Sequence, residues 1–212
     1  MNFGTVVVIA GVTGLLSFGF LAVAIGSDYW YIIEVNAPNN TNSEELNSHS
    51  GLWRIYEGKN GSSHFIPSIL AETANYTDQE RNLLDMHRVI VILLPLSLVL
   101  LVCGWVFGLV SSLARSPTLL SGTSSYFLIC SVLTLSGVTL YISYSQKALQ
   151  EIENQFGALL LAQVHVSFGW SLAVAWLSFS LEVSTGLLLL LAARMILLEA
   201  RLEASSAADS PI

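Results

Sequence analysis

Four long apolar stretches constrain this chain more than any other feature of its sequence. They cover residues 5–25, 89–113, 119–144 and 167–193, and each reaches the roughly 20 helical residues that cross a bilayer core of about 30 Å. Only 11% of the 212 residues are charged, whereas soluble domains carry roughly 25%. The sequence therefore predicts an all-α membrane protein with four spans, and the lipid bilayer is its first expected partner.

The spans divide the chain into alternating membrane and loop segments. The third helix is expected to continue past the bilayer towards Phe156, because Leu149 and Ile152 lie three residues apart among polar side chains. The predicted segments are 1–27 (first span), 28–86 (first extracellular loop, with a sheet and a short helix), 87–113 (second span), 114–118 (cytosolic turn), 119–145 (third span), 146–165 (second extracellular loop), 166–193 (fourth span) and 194–212 (cytosolic tail).

The first span has two interpretations. Ala22-Val23-Ala24 matches the small-residue cleavage site of a signal peptide. In contrast, no basic residue precedes the span, and its apolar run is longer than the usual 7–15 residues of a signal peptide. We expect the span to be retained, and in either case the loop that follows it lies outside the cell.

The first loop contains aromatic and β-branched runs that predict a small sheet. The expected strands cover residues 28–35, 51–57 and 64–66, and the run Val164–Val166 of the second loop is expected to add an edge strand. All three glycosylation sequons of the chain also lie in this loop, at Asn39, Asn60 and Asn75. The sequons predict an extracellular loop, a multi-pass plasma-membrane protein and two cytosolic termini.

The sequence contains no motif for catalysis, so we expect no enzyme and no cofactor. The net charge of −7 and the absence of a basic cluster argue against nucleic acid as a partner. The two cysteines, Cys103 and Cys130, lie in apolar spans and are expected to be buried. The four histidines are expected to be solvated or hydrogen-bonded on the outer side and to bind no metal: His49, His64, His87 and His165.

Glu182 is the one acid inside the fourth span, and it costs about 2.5–3.5 kcal/mol at the centre of a membrane helix. It is expected to face the bundle interior, with Thr134, Ser136 or Thr139 as a donor. Three roles stay open for it: ion or proton handling, contact with a basic residue of a partner, and a neutral or hydrogen-bonded packing acid.

Two short motifs indicate contacts with other chains or within this one. Gly104 and Gly108 form a GxxxG pair, which indicates either a dimerisation face or close packing inside the same bundle. At the other end of the chain, Ser210-Pro211-Ile212 fits the carboxyl-terminal pattern that PDZ domains bind as an added strand. A PDZ scaffold is therefore one predicted partner of the tail.

The spans, the long first loop and the motif Trp30 with Gly51-Leu52-Trp53 resemble the claudin and peripheral myelin protein 22 superfamily. The run Ser167-Phe-Gly-Trp-Ser171 is closest to its claudin-like transmembrane proteins, and the chain is also similar to calcium-channel gamma subunits. The resemblance implies a left-handed four-helix bundle with a small extracellular antiparallel sheet, built on Trp30, Gly51, Leu52 and Trp53. It also implies a protein that works by lateral or cell–cell contact, as at junctions.

The chain departs from that family at one point. Relatives carry two cysteines after the GLW motif, and here Tyr56 and Ser62 occupy the expected positions. The resemblance leaves a second function open, that of an auxiliary subunit of an ion channel or receptor. A small transporter that uses Glu182 is a third, and it lacks the several polar groups of a substrate pathway. The expected partners are therefore other membrane proteins, including further copies of this chain.

Overall fold

The computed structural model describes residues 2–35, 47–57, 62–66, 78–156 and 164–208. The three sequon asparagines, Asn39, Asn60 and Asn75, lie outside these ranges, as does the tail segment Ser210–Ile212. Glycosylation and PDZ binding therefore stay predictions.

Four long helices account for most of the described chain: α1 (Phe3–Gly26), α2 (Asp78–Leu113), α3 (Pro117–Phe156) and α4 (Trp170–Ala208). Among the described residues, these four are long and apolar enough to cross a membrane. The helix α3 ends at Phe156, so the predicted extension beyond the third span is confirmed. Pro95 lies inside α2, and the helix continues through it.

Five short strands form one antiparallel sheet: β1 (Tyr31–Val35), β2 (Ser48–Ser50), β3 (Arg54–Glu57), β4 (Ser62–Phe65) and β5 (Val164–Phe168). Their order across the sheet is β4-β3-β2-β1-β5. The predicted edge strand is confirmed, because β5 pairs with β1 along its whole length. The strand β2 was not expected, because Ser-His-Ser has little intrinsic preference for a strand. The fold class is confirmed as four long apolar helices with a small antiparallel sheet, while the left-handed twist of the bundle stays a prediction.

The chain forms two compact units. The first contains Met1–Phe20, Ser97–Leu133 and Leu177–Ile212, and it is built from parts of the four helices. The second contains Leu21–Leu96 and Thr134–Trp176, and it includes the whole sheet.

In the first unit, hydroxyl groups join α1 to α4. The hydroxyls of Thr13 and Thr185 lie 2.9 Å apart, and the Ser178 hydroxyl donates to the Ser17 carbonyl oxygen at 2.8 Å. Ser17 and Ser178 are both fully buried. Hydrogen bonds of this kind between spans are a common means of helix association in lipid, where the hydrophobic effect does not favour one apolar contact over another.

The GxxxG pair packs within the same unit. A methyl group added to Gly104 would lie 2.9 Å from the ring of Tyr126 on α3, and one on Gly108 would lie 3.9 Å from Thr123. The Tyr126 hydroxyl donates to the Leu100 carbonyl at 2.9 Å, which fixes that ring against α2. The structure therefore supports intrachain packing for this motif.

Candidate functional site

The two tryptophans of the motif cap the carboxyl end of α1. The Trp30 indole nitrogen donates to the Ala24 carbonyl at 2.7 Å, and the Trp53 indole nitrogen donates to the Ile25 carbonyl at 3.1 Å. The last four carbonyls of a helix have no partner within it. Here Ala24 and Ile25 are among those four, because α1 ends at Gly26. The motif therefore joins the first span to the sheet by satisfying buried acceptors.

Gly51 and Leu52 shape the turn between β2 and β3. The Gly51 amide donates to the Arg54 carbonyl at 2.8 Å, and Leu52 is fully buried. A methyl group on Gly51 would lie 2.7 Å from the Asp28 Cα and 3.0 Å from the Ser27 carbonyl oxygen. Because these are backbone atoms, they have little freedom to move away. Only glycine lets the turn approach the end of α1 this closely.

The start of α4 is tied to the same place through Gly169, whose role the sequence did not reveal. Its amide donates to the Trp30 carbonyl at 3.0 Å, and the Ser171 amide donates to the Tyr29 carbonyl at 3.2 Å. The Ser27 hydroxyl donates to the Ser171 hydroxyl at 2.6 Å. Backbone donors at the first turn of α4 therefore meet carbonyls of the segment that contains Trp30.

The sheet has two faces, which the strand register defines. Ile32, His49 and Tyr56 are paired across β1, β2 and β3, so they share one face, and Arg54 and Phe65 share it by the two-residue alternation of strands. We call this the outer face of the sheet. The opposite face, which carries Tyr31, Ile33, Ser50 and Ile55, is the inner face.

Aromatic rings are stacked along the outer face. The His49 ring lies between Tyr29 and Tyr56, with ring centres 4.5 and 4.8 Å away and nearly parallel planes. Trp170 extends the row, with its ring centre 6.3 Å from that of Tyr29. Stacked rings of this kind form a stiff surface, because little rotamer freedom is left to lose on binding a partner.

Two charged residues and one large apolar side chain complete the outer face, because the exposed Glu34 follows Ile32 by two residues on β1 and so shares this face with Arg54 and Phe65. The Arg54 guanidinium lies 4.6 Å from the centre of the Phe65 ring, and Phe65 is 69% exposed. A cation over an aromatic face contributes roughly 0.5–1 kcal/mol at exposed sites. Tyrosine, tryptophan and arginine are the side chains that most often dominate protein interfaces. The outer face therefore has the composition of a contact surface.

His87 differs from the sequence expectation of a solvated or hydrogen-bonded histidine. It lies on α2, only 1% exposed, and neither ring nitrogen has a hydrogen-bond partner of good geometry among the described residues. Its ring centre lies 5.2 Å from that of Tyr144. His87 is therefore not a solvated histidine, because it lies on the packed side of α2, which begins at Asp78. His64 and His165 are exposed.

Glu182 is fully buried within the first unit, as predicted. One hydrogen-bond donor is Ser178, one helical turn earlier, whose hydroxyl lies 3.3 Å from the Glu182 Oε1. The Thr139 hydroxyl instead donates to the Ser136 carbonyl of its own helix. Because the carboxyl group is enclosed, contact with a basic residue of a partner does not fit this structure.

The two cysteines differ in exposure. Cys103 was wrongly expected to be buried and is exposed on α2, whereas Cys130 is buried.

The strand register shows which residue lies opposite Tyr56, one of the two positions where the resemblance implied a cysteine pair. Tyr56 is paired with Ser63, and Ser62 is paired with Glu57. The Ile66 amide donates to the Trp53 carbonyl, so by the alternation of antiparallel ladders Tyr56 and Ser63 form a non-hydrogen-bonded pair. Such pairs have Cα atoms about 4.5 Å apart, within the range of a disulfide. The position that a bridge from residue 56 would reach is therefore Ser63, and not Ser62.

A double variant tests this register. We expect Tyr56→Cys with Ser63→Cys to form a disulfide under oxidising conditions, detected as a mobility shift after thiol labelling. A loop this short would raise the free energy of unfolding by roughly 2–3 kcal/mol. The matched control is Tyr56→Cys with Ser62→Cys, which is one residue out of register. Oxidation of the control pair in preference to the first would contradict the register.

Comparison with known proteins covers most of the chain. The family model described as "PMP-22/EMP/MP20/Claudin tight junction" matches residues 15–191. The "Voltage-dependent calcium channel gamma-5 subunit" of Homo sapiens is 28% identical over 192 residues, which are 85% of this chain and 67% of that relative. The "Voltage-dependent calcium channel gamma-7 subunit" of Homo sapiens is 29% identical over 189 residues, which are 84% of this chain and 65% of that relative.

The chain thus spans about two thirds of the length of these gamma subunits. The family match begins within α1, ends within α4, and includes Trp30 and the Gly51-Leu52-Trp53 turn. Because this match extends over well more than half of the sequence, the chain belongs to the PMP-22/EMP/MP20/claudin family.

Proposed function

We propose that this four-span protein is non-enzymatic and acts in the plasma membrane by binding a partner membrane protein through the outer face of its sheet. The observation that carries the proposal is the aromatic surface in which the half-buried, stacked rings of His49 and Tyr56 lie on the same face as the exposed Phe65 and Arg54. Large exposed apolar side chains next to stacked rings are typical of contact sites. The motif tryptophans are buried or half-buried behind this face, so they build the sheet and leave its outer side free.

Among partners, we favour an ion channel or receptor bound side by side, with this chain as an auxiliary subunit. The support is the similarity to two calcium-channel gamma subunits over 84–85% of the chain. A lateral subunit needs no rigid disulfide-bonded loop to bridge two cells, and this chain lacks the cysteine pair after its GLW motif.

Co-expression with the pore-forming subunit of a voltage-dependent calcium channel tests this role. We expect the two proteins to co-purify and the amplitude or inactivation of the current to change. Phe65→Ala is expected to lower co-purification by about tenfold, because truncation of an interface anchor costs more than about 1 kcal/mol and often 2. His64→Ala is the matched control, because His64 is also exposed but is the neighbour on the opposite face of β4. Unchanged currents together with no co-purification would count against this partner.

A second candidate is contact between cells, which the claudin family match favours. Cells that lack tight junctions would express the tagged protein and be mixed with non-expressing cells. Enrichment at borders between two expressing cells, relative to borders with one, would indicate that the sheet binds its like. Uniform staining would remove this candidate and leave the lateral subunit.

The proposed topology places the sheet outside the cell and both termini in the cytosol, with glycans at Asn39, Asn60 and Asn75. It is supported by the chain connectivity, since the strands occupy the segments between α1 and α2 and between α3 and α4. Removal of N-glycans by an endoglycosidase should lower the apparent mass, and the triple Asn→Gln variant should already run at that lower mass.

For the tail, we propose that Ser210 and Ile212 bind a PDZ scaffold. Deletion of the last three residues would abolish this binding.

A further inference from the structure

Two adjoining cavities lie between the inner face of the sheet and α3, within the second unit. The larger has a volume of about 220 Å³ and the smaller about 150 Å³. Tyr31, Ser145 and Leu149 line both. Tyr31 and Leu149 are half-buried and Ser145 is buried, so within the described part of the chain the cavities open to the surface.

The lining combines an apolar wall with a row of hydroxyl groups. Ile33 and Ile55 of the sheet face Ala148 and Leu149 of α3. The hydroxyl groups come from Tyr31, Tyr141, Tyr144, Ser48, Ser50 and Ser145. His49 also borders the larger cavity, but its ring is stacked between Tyr29 and Tyr56 on the outer face. No aspartate, glutamate, lysine or arginine is among the described residues that line either cavity.

Two of these hydroxyls are available to a ligand. Within the part of the chain that the structure describes, neither Tyr31 nor Tyr144 makes a hydrogen bond through its hydroxyl group. Burial raises the pKa of Tyr31 above its ordinary value, so the phenol stays protonated and can donate. Because a polar group out of water needs a partner, an apolar cavity with unpaired hydroxyls is suited to a ligand that supplies hydrogen-bonding groups.

The volume of the cavities and the absence of charged residues among the described lining residues limit the class of ligand that can bind. Sites that enclose a whole drug-sized molecule measure about 300–1,000 Å³, so each cavity is large enough only for part of a lipid. A carboxylate or phosphate would find no cation in the lining, and the single hydroxyl of a sterol offers fewer hydrogen-bonding groups to Tyr31 and Tyr144 than a polyol head does. We propose that this site binds the head and first carbons of an uncharged, polyol-headed lipid such as a monoacylglycerol, with the remaining chain directed out of the cavity.

A photoactivatable monoacylglycerol tests the site. The full-length protein would be placed in phosphatidylcholine nanodiscs with a probe that carries a diazirine near its head, and the labelled residues mapped by mass spectrometry. We expect label on β1, β2 and residues 141–149 of α3. Ala148→Phe should reduce this label at least tenfold by filling the cavity, whereas Ser143→Phe, on the exposed side of the same helix, should leave it within about twofold.

Tyr31→Phe keeps the volume and removes one hydroxyl, and we expect it to weaken binding of the probe by about fivefold, as for one hydrogen bond. Tyr31→Phe therefore tests binding of the probe in the cavity even if Ala148→Phe fails to fold. Cavity labelling that is absent, or equal in the wild type, Ala148→Phe and Tyr31→Phe, overturns the proposal. Stronger cavity labelling by a fatty-acid or sterol probe overturns the ligand class.

Discussion

Gly169→Ala is expected to remove most of the protein from the cell surface. An added methyl group at this position would overlap the Tyr29 carbonyl, so the residues just before β1 and the start of α4 would have to separate. Separation would also break the hydrogen bond from the Gly169 amide to the Trp30 carbonyl. Overpacking costs typically 1–3 kcal/mol, and more where the atoms in conflict belong to the backbone. Surface biotinylation and thermal unfolding of the purified protein would both measure the loss.

Gly19→Ala is the matched control for this variant. An added methyl group there meets no atom within 4 Å, and Gly19 lies inside α1, where alanine favours the helix by roughly 0.5–1 kcal/mol. We therefore expect normal surface delivery for Gly19→Ala. Normal delivery and an unchanged unfolding temperature for Gly169→Ala would contradict the close approach of Tyr29 to Gly169.

Trp30→Ala is the second change with a large expected effect. Trp30 is fully buried, and its ring centre lies 4.7 Å from that of Tyr141. Truncation of a buried tryptophan to alanine costs about 3–5 kcal/mol, and here it also removes a donor to the end of α1. We expect the unfolding temperature to fall sharply and the sheet to become sensitive to protease.

Trp30→Phe separates the two contributions. It keeps much of the ring and removes the indole N–H, so the Ala24 carbonyl loses one side-chain donor and keeps the Ser27 hydroxyl, at 2.9 Å. We expect a loss of about 1 kcal/mol for the hydrogen bond, plus a small packing term. Trp170→Ala is the control, because Trp170 is 49% exposed and its truncation should have a smaller effect than that of Trp30. Equal effects for the two tryptophans would argue against the capping role.

The spans and the edge strand could be predicted because their signals are local. An apolar run of more than 20 residues forms a helix in a membrane, because a helix satisfies its backbone hydrogen bonds within the run itself. Likewise, the alternation in Val164-His165-Val166 indicated a strand, and its only available partner was the sheet of the first loop. Family resemblance identified Trp30 and the Gly51-Leu52-Trp53 turn as a motif. It did not reveal that both tryptophans donate to carbonyls at the end of α1.

The remaining features depend on contacts between distant parts of the chain. The strand β2 forms because Ser48–Ser50 is held between β1 and β3, and not because of its own residue preferences. Gly169 is constrained by Tyr29, which lies 140 residues earlier in the sequence. The capping of α1 by two indole groups likewise could not be predicted without knowing the path of the loop that carries Trp30 and Trp53. No residue pattern along the chain contains this information.

The missing cysteine pair now has a structural context. The β3–β4 hairpin is held by four paired residues on each strand and by the contact of Arg54 with Phe65. Next to this contact, at the open end of the hairpin, the Ile66 amide donates to the Trp53 carbonyl at 3.0 Å. The hairpin is thus anchored through Trp53 to the end of α1, where the Trp53 indole donates to the Ile25 carbonyl.

The most direct test of the account compares the two faces of β4 in one binding experiment. Phe65→Ala and His64→Ala would be expressed to the same surface level, and the amount of co-purified channel or of contact-enriched protein would be measured for each. We predict about tenfold less partner for Phe65→Ala and wild-type binding for His64→Ala. Normal binding by Phe65→Ala, or equal loss in both variants, would contradict the claim that the outer face of the sheet is the contact surface.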